Sequence, residues 1–183
     1  MKFVEEIREE LRKMEKGEVF LFIISLLSRQ KTLFDKIASV NNWCENEIIS
    51  SVYNEVKKNV LVPENFTYEC DIDRTDIEYL GWEADEFYMQ IIESFLDELF
   101  AFIEQLRYKE EVDYSFSQCN FDILESIVIN QYGWRNTTEE MIISNEYIQL
   151  EYEREKRDLD KIKKGEFEID EMQEMIIPID GLF

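Results

Sequence analysis

In the segment 88–106, apolar side chains recur every three or four residues: Tyr88, Ile91, Ile92, Phe95, Leu96, Leu99, Phe102, Ile103 and Leu106. The opposite positions carry Glu83, Glu86, Gln90, Glu93, Asp97, Glu104 and Gln105. This is the period of an amphipathic α-helix, and it predicts one long helix over 82–108. The chain supports the same reading elsewhere. Its 183 residues include five Gly and two Pro, too little turn punctuation for many short strands. At 45% hydrophobic and 14% aromatic it differs from an acidic disordered segment, which is poor in aromatics. A chain of this length fits one domain, residues 1–183, and buries roughly 70% of the surface its unfolded form exposes.

The other segments complete an all-α, single-domain bundle of about six helices, with an acidic loop before the long fourth one. A first helix over 2–16 sets Phe3, Val4, Ile7, Leu11 and Met14 on one face, with Gly17 as its stop. A second, over 18–28, is apolar nearly all round and belongs at the centre of the core. A short helical turn over 33–37 follows it. The third, over 45–60, aligns Ile48, Ile49, Val52, Val56 and Val60, and Pro63 ends it. Residues 63–80 lack a clear period and read as an ordered acidic loop. The fifth helix, over 116–132, turns Phe121, Leu124, Ile127 and Val128 inward and is capped by Gly133. Thr137 and Glu140 have capping-box spacing. The sixth, over 144–164, buries Ile148, Tyr152, Leu159 and Ile162. Its alternating charges, with Glu153–Arg157 and Asp160–Lys164 at i,i+4, suit a solvated face, and Gly165 ends it. The tail 166–183, finishing MIIPIDGLF, is expected to dock on the core.

Charge narrows the function. The chain has 42 acidic residues against 20 basic ones, a formal charge of −22. Thirteen of the acids and one basic residue, Arg74, fall in 64–104. Like charges at this density repel and cost the compact state stability. On the fourth helix, Glu86, Glu93, Asp97 and Glu104 are spaced 7, 4 and 7 and so lie on one stripe. Neighbouring members cost a few tenths of a kcal/mol each. Local helix stability therefore did not select the stripe.

Composition also excludes chemistry. With no histidine, neither a Ser-His-Asp nor a Cys-His arrangement exists, and no imidazole can ligate a metal or shuttle protons. No GxGxxG or GxxxxGK pattern occurs. Asp71 and Asp73 have the spacing that opens a calcium loop, but Asp76 stands where such a loop needs Gly. No metal or other cofactor is expected. Cys44, Cys70 and Cys119 are far apart and odd in number, which reads as buried free thiols in a reducing compartment. The apolar run 19–27 is nine residues long where a membrane span needs about 20. The charged N-terminus lacks the features of a signal peptide. A cytoplasmic protein is expected. Its sign opposes direct binding to anionic lipid or to nucleic acid.

Three stretches carry a family likeness: VFLFIISLLSRQKTLFDKI with Arg29 and Phe34, WCENEIISSVYNEVKKNVL, and ISNEYIQLEYEREKRDLDKI. Over about residues 7–162 this order resembles the YjaG-like family of bacterial proteins, an all-helical group with no established activity. The family usually has a proline between the arginine and the aromatic. Here residues 30–33 hold none. The resemblance implies the fold and carries over no catalytic residue.

An acidic surface on an aromatic-filled helical body suits a module that binds and neutralises a basic protein. An immunity protein against a bacterial nuclease-type toxin is the leading form, because a negative face steers a basic active site. Its contacts would be Glu86, Glu93, Asp97 and Glu104 with Asp71, Asp73, Asp76 and Glu78, and Tyr79 and Trp82 as aromatic anchors. A phage-encoded inhibitor that imitates a nucleic acid would use the same surface. A carboxylate-based metal-dependent enzyme and a homodimeric helical module are the readings from other classes. Facing glutamates can bind two metals, although such bundles usually add histidine. The expectation is a protein that is not an enzyme.

Overall fold

The apolar run at 19–27 falls in the first half of the longest described helix and is buried in the core. The computed structural model describes residues 2–40, 46–60, 86–108 and 111–169, the side chains of Asn46, Glu86 and Phe87 excepted. Among the described residues the fold is all helical, with 84% helix and no strand. Seven α-helices form one bundle: α1 (Lys2–Leu11), α2 (Lys16–Val40), α3 (Asn46–Asn59), α4 (Glu86–Tyr108), α5 (Cys119–Tyr132), α6 (Glu139–Ser144) and α7 (Glu146–Lys163). A 3-10 turn (Tyr114–Gln118) leads into α5.

The core is built around α2, which packs against both α4 and α7. Phe20, Phe22, Ile23, Leu27, Phe34 and Ile37 of α2 are all buried. Phe34 meets Phe95 of α4 at 5.2 Å between ring centroids, and Phe20 meets Phe102 edge-on at 5.4 Å. Most of the α4 period is realised: Ile91, Ile92, Phe95, Leu96, Leu99, Phe102, Ile103 and Leu106 are buried, Tyr88 is half-buried against the core, and Gln105, expected on the outer side, is buried and accepts from the Asp113 N–H. At roughly 1.5–3 kcal/mol for each large apolar side chain removed from water, this one face holds α4 far more firmly than its acidic row loosens it. α5 joins α4 to α7, and α1 lies on the 3-10 turn and α7. No described helix is long and apolar enough to cross a membrane.

Several boundaries differ from the sequence pattern. Gly17 does not stop a helix. α1 ends at Leu11, and α2 starts at Lys16 with Gly17 in its first turn. The Glu15 N–H donates to Glu18 Oε2 at 2.8 Å, so the Glu18 side chain caps the new helix start. The two short segments expected at 18–28 and 33–37 are one 25-residue helix. The polar residues between them do not break it: Thr32 donates its hydroxyl to the Ser28 carbonyl one turn back, and Arg29, Gln30 and Lys31 are buried. Ile48 is 48% exposed, because the buried stripe of α3 runs through Ile49, Val52, Tyr53, Val56 and Val60 instead. The cap before α6 is Thr138, which accepts from Met141 N. Thr137 instead donates its hydroxyl to Gly133 O. Asn145 caps α7, with Oδ1 accepting from Tyr147 N at 3.0 Å.

Phe167 and Ile169, at the start of the tail, pack against the core. Residues 170–183, the acidic loop 63–80, Cys44 and Cys70 lie outside the described residues.

Candidate functional site

The outward row of α4 follows from the inward one. Eight buried residues turn one side of the helix into the core, so Glu93, Asp97 and Glu104 project from the other side, and all three are exposed. Among the described residues no ion pair involves Glu93 or Glu104. Glu86 starts α4, but its side chain is not described. Asp71, Asp73, Asp76, Glu78, Tyr79 and Trp82 lie outside the described residues. The structure thus brings together three of the ten expected contact residues.

It adds one that the α4 pattern could not reveal: Asp122 of α5, which is exposed and lines a cleft shared with α4. A cleft of about 280 Å³ separates the helices, lined by Gln90, Ile91 and Ser94 of α4 and by Asp122, Ile123 and Ser126 of α5. Burial raises the Asp122 carboxyl above its ordinary range, against the Gln118 amide that donates to it at 3.0 Å. Sequence signals one part of this: from 111 to 134 there are four acids, Glu111, Asp113, Asp122 and Glu125, and no lysine or arginine.

The cations collect elsewhere. On α1 and α7, Glu5 pairs with Arg8 and Arg12, and Glu10 lies 2.6 Å from both Lys13 and Lys163. Those two lysines hold the Glu10 carboxyl at about 2. The Tyr152 hydroxyl donates to Glu6, which pushes the phenol up to about 12. A second cleft, about 360 Å³, lies here between α1 and α7, with Lys156 and Lys163 facing Glu6 and Glu10. Glu9 and Asp160 also line it, so its two lysines offset half of its four acids.

Behind the acidic face runs a buried polar network that the sequence pattern did not reveal. Arg29 of α2 is 0% exposed. Its Nε lies 2.8 Å from Glu151 Oε1, and its Nη1 donates to Asp158 Oδ2 at 2.5 Å. Burial opposes the guanidinium charge, but Glu151, Asp158 and Glu155 outweigh it and raise the group further. Glu155 is also 0% exposed, and neither of its oxygens accepts a hydrogen bond among the described residues. Burial, reinforced by Glu151, pushes its carboxyl well up, against the pull of Arg29. Asn120 of α5 donates to Glu151 Oε1 at 2.7 Å. Gln30 donates to Asn120 Oδ1 at 2.9 Å and to Glu98 Oε2 of α4 at 2.5 Å. One chain of polar contacts therefore ties α2, α4, α5 and α7 together.

The pairs Glu153–Arg157 and Asp160–Lys164 lie exposed, as the alternation of signs predicts, but Glu151, Glu155 and Asp158 of the same helix are buried. A signal existed: these positions share the i, i+3, i+4, i+7 stripe of Ile148, Tyr152, Leu159 and Ile162. Their partner, Arg29, sits on α2 far away in sequence.

The network offers little chemistry to a substrate. Burial first, and Glu98 next, push the Cys119 thiol well up, which leaves it without thiolate character. Among the described residues no group of three or more acid or thiol side chains is placed to hold a metal. The outer row of α4, together with α5, is the arrangement that can act on another molecule. It presents fixed negative charge to a cationic surface. Comparison with protein-family models, curated proteins and solved structures finds nothing that matches this chain.

Proposed function

We propose that this chain is an acidic cytoplasmic interaction module that binds and neutralises a basic protein, in the form of an immunity protein against a bacterial nuclease-type toxin. One observation carries the reading. Glu93, Asp97 and Glu104 all face outward along α4, and neither Glu93 nor Glu104 has an ion-pair partner among the described residues. Meanwhile, Glu5 and Glu10 of α1 pair with Arg8, Arg12, Lys13 and, on α7, Lys163. A protein that needed its acids for solubility alone would gain by interspersing cations among them.

The physics suits capture of a basic active site. A negative face accelerates encounter with a groove built for phosphates and repels nucleic acid that competes for it. A rigid helix holds the carboxylates in place before the encounter, which lowers the ordering cost of binding.

The experiment starts from a pull-down at low salt in the native host, followed by affinity measurement for the captured protein. Replacing Glu93 and Asp97 by Lys should leave the helical fold intact and weaken binding at least tenfold. It should also flatten the dependence of the association rate on salt, since screening acts over about 8 Å at physiological ionic strength. Equal affinity of the E93K/D97K variant and the parent for a verified basic partner would remove α4 as the contact surface.

A further inference from the structure

Three carboxyl groups and one guanidinium are buried together where α7 meets α2. Glu151, Glu155 and Asp158 stand at i, i+4 and i+7, so they share one stripe of α7 and follow one another turn by turn. Arg29 spans the outer two: its Nε lies 2.8 Å from Glu151 Oε1 and its Nη1 lies 2.5 Å from Asp158 Oδ2. Glu155 stands between them on the stripe. It is 0% exposed, and neither of its oxygens has a hydrogen-bond partner among the described residues.

The helices packed on α7 bring it no second cation. From α2 comes Arg29, while Lys31, the other buried cation among the described residues, lies 2.5 Å from Asp35 of its own helix. From α5, Asn120 gives its amide to Glu151, and the Cys119 thiol is pushed up, in small part by Glu155. On α1, Glu6 accepts from Tyr152 and Glu10 pairs with Lys163. The acids of α6, Glu139 and Glu140, are exposed. Arg154, the residue before Glu155, points about 100° away around α7. A carboxylate kept from water with no donor on either oxygen is costly, and the usual escape is to bind a proton. The proton removes the charge. It also makes one oxygen a donor, the role that the flanking carboxylates, both acceptors, leave open. Burial first and Glu151 next push the Glu155 carboxyl well up, in the direction this packing requires.

We propose that Glu155 is buried as the neutral acid, and that α7 stays seated on α2 and α5 only while this carboxyl keeps its proton. The device is a proton-dependent latch. Ionising Glu155 sets a third negative charge beside a guanidinium that two carboxylates already share, in a place that water does not reach. The latch uses no residue of the α4 row and stands whether or not the partner is a basic protein.

The unfolded chain ionises this glutamate above about 4.5, so unfolding at higher pH releases its proton, and stability falls as pH rises until the folded-state carboxyl itself titrates. The full chain carrying Glu98→Gln is the reference, because Glu98 titrates at about 7 and overlaps the window. Its heat of unfolding at pH 7.5, compared in phosphate and in Tris, should report release of about one proton. Its unfolding equilibrium constant in urea should rise about tenfold from pH 7 to 8, and exchange of the α7 amides, corrected for the intrinsic rate, should rise by the same factor. Both should stay level in E98Q/E155Q and in E98Q/E155M, whose methionine fills the stripe without a polar atom. No proton released by E98Q would overturn the latch with no substitution at 155. Release that persists in both double variants would give the proton to another group and overturn it. A loss of stability in E98Q/E155Q that is equal at pH 7 and 8, with the slope of the reference kept, would make Glu155 an ionised partner of Arg29 and overturn it as well. Level α7 exchange in the reference would detach the proton from the seating of the helix, against the proposal.

Discussion

Arg29 and Glu98 show how far burial changes what a charged side chain does. Arg29 stays charged because two carboxylates, Glu151 and Asp158, are buried with it. Glu98 receives amide and hydroxyl donors from Gln30 and Ser94, and no cation among the described residues. Burial therefore dominates and raises its carboxyl to about 7, while Gln30, Cys119 and Ser94 pull it down and Asp122 of α5 pushes it up. The consequence for stability has a definite sign. Between about 4.5 and 7 the folded protein keeps a proton on Glu98 that the unfolded chain releases, so stability falls as pH rises through that window and levels off above it. At 1.36 kcal/mol per unit the loss is roughly 3 kcal/mol. Urea unfolding of the parent and of Glu98→Gln at pH 5, 6, 7 and 8 tests this. The variant should lose distinctly less stability across the series. Parallel curves would mean that Glu98 is solvated in the folded state.

At the level of helices, two alternations decide the architecture. α4 has a clean apolar side, so it has one face for the core and one for a partner. α2 is apolar nearly all round, so it is enclosed. Phe95 links the two: it is 0% exposed and its ring packs against Phe34. Phe95→Ala should cost about 3–5 kcal/mol, measured as a shift in the urea midpoint at constant slope. A loss below about 1 kcal/mol would show that the α2–α4 interface can collapse around the missing ring. The existence of α1, α2, α3, α4, α5 and α7 was legible because each repeats its apolar residues at helical spacing. Their ends were less legible. The break between α1 and α2 depends on the Glu18 side chain reaching the Glu15 N–H, and one extra threonine decided where α6 begins. Ile48 shows a related ambiguity. On α3 two apolar stripes overlap, and packing against α2 chose the one through Ile49.

Across the molecule, charge is segregated. The α1–α7 edge is laced by its own ion pairs, whereas Glu93 and Glu104 on the outward row of α4 have no ion-pair partner among the described residues. A formal charge of −22 then stresses the folded state, and screening should relieve it. Raising sodium chloride from about 20 to 300 mM should raise the thermal midpoint by several degrees, most of it below about 150 mM, where the Debye length shortens to about 8 Å. A midpoint independent of salt would mean that the repulsion is already balanced within the fold.

Periodicity and composition settled the helical class, the central place of the run at 19–27 and the outward row of Glu93, Asp97 and Glu104, because these depend on spacings of a few residues along one helix. The buried meeting of Arg29 with Glu151, Glu155 and Asp158 was beyond them, and so was the meeting of Asp122 with α4 across their cleft. Those arrangements join residues far apart in the chain. A charged side chain on an amphipathic helix can face water or an opposite charge, and which it meets is decided when the helices pack.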